Sequence, residues 1–560
     1  MSVNTIDTRL LRQMFLCGAE NLASNKNWIN ELNVFPVPDG DTGTNMTMTV
    51  VSAVNEVISL GETNDMKAVC KAISSGSLRG ARGNSGVILS QLLRGFCKIV
   101  RDHAEIDVPM AADAFDKAVE TAYKAVMKPK EGTILTVAKG AAVKARELAD
   151  GGTTDFEVFI PEVIQYADSV LASTPDMLPV LKQAGVVDSG GQGLVQVLKG
   201  AYEGLQGKTA DIERILHPEE HEDEKKEEPK KEYKYLYSVS FVILLDNNFN
   251  PKMESDLKSY LSSIGENVIT SVGDQKISVH LYTNDPGLAL QKGVFLGELY
   301  ELEVFNRRLH PEREDKIPVM DTPEKGAEAV PGEKKQPESP RKEIGIVAVA
   351  AGEGLAQIFR SLGADYVISG GQTMNPSTAD ILDAADKVNA DTVFILPNNK
   401  NIILAANQAA AIDGDKTIVV IPTKNIPQGI TAVINFMPDQ SADVNKDNML
   451  EEISGVKSAE ITYAVRDTVI DDVEIKEGNM MAIGDSGILG VGTDRNDTAM
   501  EALSKIVGDT TELISIYYGA DTTKEQAQDL HDRAASRYPG CEVEVSSGGQ
   551  PVYYYILSAE

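Results

Sequence analysis

The sequence predicts a multidomain protein with a helical N-terminal domain, a small α/β middle domain and an α/β C-terminal domain. Its 560 residues exceed the size at which a single hydrophobic core keeps growing. Apolar residues follow helical spacing up to about residue 207, and strand patterns appear only later. Two charged stretches with few apolar residues separate the regions. We expect domains at 1–207, 233–306 and 343–560, a charged linker at 208–232 and a flexible linker at 307–342.

The composition excludes several kinds of partner and location. A formal net charge of −31 disfavours binding to nucleic acid or to an anionic membrane surface. The four cysteines form no CxxC pair and have no zinc spacing, which indicates reduced thiols in a cytoplasmic protein. The N-terminus lacks the core of a signal peptide, and no uncharged apolar run is long enough to span a bilayer. We therefore expect no stable membrane insertion.

The stretch NVFPVPDGDTGTNM, residues 33–46, has the composition of a loop that binds a metal and a nucleotide. Asp39 and Asp41 are two residues apart, so their side chains lie on the same side of extended backbone but not of a helix. The two prolines before them favour extended backbone, and Gly40 permits a tight turn. Both carboxylates can therefore reach one cation, and Mg²⁺ takes one or two protein carboxylates beside phosphate oxygens.

A helix is expected to begin directly after this loop. An apolar stripe at near-helical spacing starts at Met46, so the preceding small polar residues supply a helix N-terminus whose N–H groups suit phosphate. For the aspartates taken alone, a simple Asx turn is the alternative. An EF-hand is excluded, because Thr44 and Val50 stand where that loop requires Gly and Glu.

Glycine-rich turns precede further helices. In RGARGNSGVILSQ, residues 79–91, Gly80, Gly83 and Gly86 allow close approach of a ligand to the backbone. An ordinary helix–helix turn is the alternative, but the neighbouring acidic loop favours a binding site. Another helix opens at Thr133 in EGTILTVAKG, and a final one follows Asp188 in AGVVDSGGQG.

These motifs resemble those of a known family. DGDTGTNM and RGARGNSGVILSQ are similar to the nucleotide-binding domain of the dihydroxyacetone-kinase family, in the version carried by the ATP-binding subunit of bacterial fatty acid kinase. GIVAVAAGEGL, GGQTMNPST and ILPNNKNIILAA resemble the C-terminal part of that subunit. The resemblance implies an all-α helical barrel, a dihydroxyacetone-kinase-like (DhaL-like) domain that binds ATP and Mg²⁺ on loops at one end.

The resemblance also assigns roles to residues. Asp39 and Asp41 are the implied catalytic residues and hold Mg²⁺. The family has a third aspartate five residues before Asp39, where this chain has Val34, so Asn33 is an additional candidate ligand. The implied nucleotide-binding residues are Thr42, Gly43, Thr44, Asn45, Ser85 and Gly86 for the phosphates, Thr133 and Ile134 for the base, and Asp188, Ser189 and Gly190 for closing the pocket.

The middle region changes to alternating aromatic and β-branched residues. This pattern predicts strands at 236–245 and 276–283 with a helix at 253–264, as in a small α/β domain. Relatives are expected to carry Cys in place of Ser238 and His in place of Tyr282, which with His280 would form a potential zinc set. This chain keeps only His280, so we expect no zinc there.

The C-terminal region alternates apolar strands with amphipathic helices, which predicts a parallel sheet with crossover helices and a further α/β lobe from about residue 474. GGQTMNPST and PNNKN follow strands, where such sheets commonly bind ligands. For Thr373, Asn375 and residues 398–401, turn and capping chemistry is the alternative. By resemblance, this domain docks the partner protein that carries the fatty acid.

The resemblance implies an ATP-dependent kinase subunit that phosphorylates a fatty acid, presented by a separate DegV-type binding protein, to an acyl phosphate for phospholipid synthesis. A carboxyl group is ionised at neutral pH and needs no general base, whereas phosphoryl transfer needs alignment and charge neutralisation. A kinase for a small dihydroxyacetone-type ketone and a non-catalytic nucleotide-sensing scaffold are the alternatives. A homodimer is also implied by resemblance.

Overall fold

The computed structural model describes most of the chain. The described residues are 2–34, 40–126, 128–216, 235–245, 257–258, 260–261, 264–273, 276–307, 341–371, 375–412, 414–464, 467–470, 473–485 and 487–560. The chain divides into two compact units, Met1–Pro218 with Pro337–Glu560, and Glu219–Gln336. The first unit thus contains both a helical region, residues 2–216, and a C-terminal α/β region, residues 341–560.

The helical region is a ring of helices with one short antiparallel strand pair, Ile6–Asp7 with Glu105–Ile106. Its helices are Thr8–Ser24, Lys26–Glu31, Thr42–Ser59, Met66–Arg79, Gly83–Val100, Val108–Ala125, Ile134–Asp150, Phe156–Ala172, Thr174–Met177, Pro179–Ala184, Ser189–Leu205 and Ile212–Leu216. Long helices that follow one another in the chain pack together, and Ser189–Leu205 returns to pack against Thr8–Ser24. The ring is therefore closed, as in the helical barrel that the resemblance implies.

The apolar stripes of these helices face the inside of the ring, because that is where they leave water. The predicted stripe of the helix Thr42–Ser59 is a clear example, since Met46, Val50, Val54 and Val57 are at most 1% exposed. The interior also holds an apolar cavity of about 180 Å³. Hydrophobic spacing in the sequence thus predicted correctly which face of this helix is buried.

The last short helix, Ile212–Leu216, lies in the stretch that the sequence assigned to the charged linker. Its Ile215 is fully buried in the core of the helical region. Ala210, Ile212 and Leu216 pack against the same core, so the helical region extends beyond residue 207. The rest of that stretch, residues 217–232, lies outside the described residues.

The described residues of the C-terminal region form two large sheets and a two-stranded one. A four-stranded parallel sheet has the spatial order Thr417–Val420, Ala390–Leu396, Lys342–Ala350 and Tyr366–Ser369. A six-stranded sheet has the order Gly487–Gly492, Met480–Gly484, Lys457–Tyr463, Tyr555–Ala559, Leu513–Tyr518 and Glu542–Ser547, and only its last pair is parallel. A two-stranded pair joins Thr468–Ile470 to Val473–Ile475. The predicted α/β fold with a parallel sheet is confirmed.

Helices cover both sheets. They are Glu353–Leu362, Thr378–Lys387, Ile403–Ala410, Ile426–Ile434, Ala442–Ile453, Arg495–Ile506 and Lys524–Arg537. The parallel sheet is buried on both faces, since its central residues Val393, Phe394 and Ile395 are all 0% exposed. Continuous burial explains why these strands read as unbroken apolar runs in the sequence.

The second unit is a small α/β structure. Its antiparallel sheet has the order Gly265–Gly273, Lys276–Thr283, Tyr237–Leu245 and Gly297–Asn306, and Pro286–Val294 is a helix. The predicted helix at 253–264 lies largely outside the described residues. His280 is buried, with its Nδ1 2.9 Å from Ser240 Oγ and its ring edge-on to Tyr282. Within the described ranges, no three His, Cys, Asp or Glu side chains form a group that could hold a metal.

None of the helices described here combines the length and the apolar composition that crossing a membrane requires.

Candidate functional site

Three helices of the helical region begin beside one another. They are Thr42–Ser59, Gly83–Val100 and Ser189–Leu205. Ser189 Oγ donates a hydrogen bond to Thr42 Oγ1 at 3.2 Å. Gly83 lies so close to Asn45 that a Cβ on the glycine would fall 2.5 Å from Asn45 Nδ2. Because a helix N-terminus carries N–H groups without helical partners and the positive end of a dipole, their convergence favours an anion.

A fourth helix N-terminus joins this group. Asp188 accepts hydrogen bonds from the backbone N–H groups of Ile134, at the start of the helix Ile134–Asp150, and of Gly191 at 2.7 Å. Gly190 is also close, since a Cβ there would lie 3.2 Å from Ile134 Cβ. The structure therefore brings together the two loops that the resemblance implies for the base and for closing the pocket.

Capping distinguishes these helix starts from those of the other long helices of the helical region, each of which has an aspartate cap. Away from the site, Asp7 and Asp107 each accept a backbone N–H of the first helical turn, at 2.8 and 2.9 Å. At three of the four converging starts, the residue in the capping position makes no side-chain capping bond; these residues are Asp41, Arg82 and Thr133. Asn30 and Asp188 accept the N–H groups of Thr44 and Ile134, so a bound anion would accept from other N–H groups of these starts.

In the loop of residues 33–46, residues 35–39 lie outside the described residues, and Asp39 is one of them. The predicted convergence of the two carboxylates thus stays a prediction. Asp41 has one partner that the sequence did not indicate: its Oδ2 accepts a hydrogen bond at 2.6 Å from Nδ2 of Asn375, in the C-terminal region. The same Nδ2 lies 3.5 Å from Asn45 Oδ1.

Asn33 holds two helix starts together. Thr42 Oγ1 donates to Asn33 Oδ1 at 2.5 Å, and Ser189 Oγ lies 3.4 Å from the same oxygen. The side chain of Asn30 also bonds to the start of the helix Thr42–Ser59: it accepts the backbone N–H of Thr44 at 3.1 Å and donates to Thr44 Oγ1 at 3.0 Å. The Asn33 side chain therefore links the starts of two helices in this structure, and its role as a metal ligand stays a prediction.

The glycine-rich turn lies between the acidic loop and the C-terminal region. Arg82 Nη1 donates to the backbone oxygen of Asn375 at 2.7 Å, and its Nη2 lies 3.2 Å from Asp380 Oδ2. Asn84 Nδ2 donates to Asn401 Oδ1 at 3.0 Å. Ser85, which follows, is half-buried in the first turn of its helix. Arg82 and Asn84 thus join the turn to the C-terminal region.

The polar residues of the C-terminal loops divide into two groups. Asn398 stabilises the turn in which it lies: its backbone has a φ of 54°, and its Nδ2 donates a hydrogen bond to Val349 O at 2.9 Å. Asn375 and Asn401 instead contact the helical region. Thr373 lies outside the described residues. Turn chemistry thus accounts for Asn398, but not for Asn375.

Sequence reasoning missed Asn30, Arg82 and the contact between Asn375 and Asp41. Asn30 lies in the short helix Lys26–Glu31, which the sequence pattern did not predict, and nothing marks its side chain as bonded to a later loop. Arg82 reads as an ordinary surface cation. Only the GGQTMNPST motif gave a signal, and it did not indicate the partner of Asn375.

Asp188 is a buried carboxyl group, 5% exposed, and burial raises its pKa to about 6. The two backbone N–H groups that it accepts act in the opposite direction and only partly offset the loss of water. Because the folded protein binds this proton more tightly than the unfolded chain, the group stabilises the fold below about pH 4 and loses that contribution as pH rises to about 6.

We expect the substitution Asp188→Asn to remove the pH dependence that the Asp188 carboxyl group gives to the stability of the protein. Asparagine still caps a helix but does not ionise in this range. The free energy of unfolding of the variant relative to wild type should rise by roughly 3 kcal/mol between about pH 4 and about pH 7, at about 1.4 kcal/mol per pKa unit. Denaturant unfolding of both full-length proteins across this range measures it. A difference that is independent of pH would contradict the assignment.

Comparisons with known proteins show that the chain is a kinase-type protein. The model of the DAK2 domain matches residues 36–203. The models of the fatty acid kinase FakA-like middle and C-terminal domains match residues 234–313 and 345–560. Protein YloV of Bacillus subtilis (strain 168) is 43% identical over 567 residues, and an uncharacterized protein of Staphylococcus aureus (strain MRSA252) is 39% identical over 572 residues; both alignments cover 100% of each chain. The chain belongs to the FakA-like family of fatty acid kinase subunits.

Solved structures are similar to parts of the chain. Dihydroxyacetone kinase from C. freundii in complex with AMP-PNP and Mg2+ has 18% sequence identity and a TM-score of 0.27, covering 35% of this chain and 34% of that one. A fatty-acid-binding DegV family protein from Thermus thermophilus has 13% identity and a TM-score of 0.29, covering 39% of this chain and 99% of that one. Membership in the family rests on the sequence relatives and the family models.

Proposed function

We propose that this chain is the subunit that transfers the γ-phosphate of ATP to the carboxylate of a fatty acid presented by a separate DegV-type acyl-binding protein. The observation that carries the proposal is the convergence of helix N-termini near Asp41, at three of which the residue in the capping position makes no side-chain capping bond. Such a site favours a multiply charged anion.

The donor set fits a nucleotide with magnesium. Asp41 supplies a carboxylate, and Thr42, Thr44 and Ser85 supply hydroxyl groups, all of them the hard oxygen donors that Mg²⁺ prefers. Asp39 would add a second carboxylate. When bound, Mg²⁺ neutralises charge on the phosphate oxygens. We assign Thr42–Asn45 and Ser85–Gly86 to the phosphates, Thr133–Ile134 to the base, and Asp188–Gly190 to closing the pocket.

The acceptor chemistry requires little from the protein. A fatty acid carboxylate is already ionised at neutral pH, so one of its oxygens attacks the γ-phosphorus directly while the bond to the β-phosphate oxygen breaks. The products are ADP and an acyl phosphate, which is suited to phospholipid synthesis. The residues of this chain hold the nucleotide in line and supply N–H donors to the transferring oxygens.

A partner protein is part of the proposal. The family consists of kinase subunits, and an acyl chain with its apolar tail needs a carrier to reach a loop site in a strongly acidic protein. We propose that residues 343–560 dock this partner, that the chain acts in the cytoplasm, and that it forms a homodimer.

The test measures ATP consumption by the purified chain with a fatty acid, with and without the copurifying acyl-binding partner. We expect consumption only when all three components are present. Consumption with dihydroxyacetone but not with a loaded partner would identify a small hydroxyketone kinase instead. No consumption with any acceptor or partner would indicate a nucleotide-sensing scaffold.

A further inference from the structure

Asn375 reaches the candidate site from the C-terminal region. It lies in the loop between the strand Tyr366–Ser369 and the helix Thr378–Lys387, and it is 2% exposed. Its Nδ2 donates to Asp41 Oδ2 at 2.6 Å. Its Oδ1 is buried and has no hydrogen-bond partner in the part of the chain that the structure describes.

An unpaired buried amide oxygen needs an explanation. Buried polar atoms are almost always hydrogen-bonded, because an atom buried without a partner has lost the hydrogen bonds to water that it made in the unfolded chain. The oxygen stands beside a carboxylate that is proposed to hold a cation. A donor brought by a bound ligand, such as water coordinated to that cation, would satisfy it.

The backbone at Asn375 and the residues that follow it are held by several hydrogen bonds. Arg82 Nη1 donates to Asn375 O at 2.7 Å, and the backbone N–H of Thr378 donates to Ala81 O at 3.1 Å. Ser377 and Asp380 form a capping box that sets the start of the next helix. These bonds anchor the backbone that carries the Asn375 side chain beside Asp41, as a positioning residue requires.

We propose that Asn375 is a positioning residue of the magnesium–nucleotide site, contributed by the C-terminal region. Its Nδ2 orients the carboxylate of Asp41, and its Oδ1 accepts a hydrogen bond from water on the bound ion. A carboxylate has about four lone-pair sites, so Asp41 can accept from Asn375 and also coordinate a cation. The proposal rests on the proposed function, and it makes the nucleotide site complete only when the two regions are packed together.

The test compares Asn375→Leu with wild type in the full-length chain. Leucine is close to asparagine in size but removes both the donor and the acceptor. Calorimetry measures ATP affinity in Mg²⁺ and in EDTA. Loss of a group that orients a metal ligand typically costs 10–100-fold in metal affinity. We expect ATP affinity in Mg²⁺ to fall by about that factor and affinity in EDTA to stay unchanged.

Gln408→Ala is the matched control. Gln408 also joins the two regions, since its Oε1 accepts from Gln91 Nε2 at 3.0 Å and its Nε2 donates to Leu78 O at 2.8 Å, but it does not contact Asp41. We expect this variant to bind ATP like wild type under both conditions. If Asn375→Leu fails to fold, Asn375→Ala takes its place, and the half-saturating Mg²⁺ concentration should rise.

Two outcomes overturn the role of Asn375: wild-type affinity of its variants in Mg²⁺, or an equal loss in Mg²⁺ and EDTA. An equal loss in Gln408→Ala would mean that packing of the regions matters and Asn375 itself does not. If wild-type protein binds no ATP in Mg²⁺, the proposed function fails instead.

Discussion

Asp41→Ala is expected to abolish phosphoryl transfer, lowering turnover by at least about a hundredfold, the scale of losing one group that stabilises transferring charge. The substitution removes a carboxylate from the proposed magnesium site and leaves Asn375 without its acceptor. It also removes the negative charge that draws a cation to a place where helix N-termini otherwise favour anions. Steady-state ATP turnover with partner and fatty acid measures the effect.

Asp107→Ala controls for this experiment, because Asp107 also precedes a helix of the same region. It caps its helix through a bond of 2.9 Å to Met110 N–H, so its loss should cost about 1 kcal/mol of stability. Turnover should stay unchanged. Full activity in Asp41→Ala, or equal losses in both variants, would refute the assigned site.

Gly83→Ala is expected to have the second-largest effect. Gly83 has a φ of 56°, and a Cβ would fall 2.5 Å from Asn45 Nδ2. Because Asn45 is itself buried, the methyl group must displace it from the start of its helix. We expect nucleotide affinity to fall by about tenfold or more, and stability to fall by roughly 1–3 kcal/mol from crowding beyond the backbone strain.

The control variant Gly61→Ala separates the effect of backbone strain from the effect of steric crowding between Gly83 and Asn45. Gly61 has a φ of 64°, but a Cβ there would meet no atom within 4 Å. This variant should lose only the roughly 1–2 kcal/mol of left-handed backbone strain and bind nucleotide normally. Thermal unfolding and calorimetry of both variants measure the difference. Equal behaviour would mean that the close approach of Gly83 to Asn45 does not matter for the site.

Much of the fold could be predicted because it depends on local patterns. The apolar stripe from Met46 to Val57 marks the buried face of its helix, and the unbroken apolar run around Val347 marks a strand buried on both faces. The helix Ile212–Leu216 was missed, since one buried isoleucine next to a charged stretch is too weak a signal. Local periodicity shows which face is buried, but not where a region stops.

The candidate site could be predicted only in part. The sequence indicated the loops, and the structure brings Thr42, Asn45, Ile134 and Ser189 together. The sequence could not indicate that Asn375 bonds to Asp41, because that contact joins residues 334 apart in the chain. Such a pairing depends on how two regions pack, for which a single sequence carries no periodic signal.

The fate of the γ-phosphate tests the central claim most directly. ATP labelled on that phosphate is incubated with the full-length chain, its copurifying acyl-binding partner and a fatty acid, and the product is trapped with hydroxylamine. We predict that the label moves to the fatty acid as an acyl phosphate, which hydroxylamine converts to a hydroxamate, and that Asp41→Ala forms none. Label found only in inorganic phosphate or on dihydroxyacetone, with the loaded partner present, would contradict the claim.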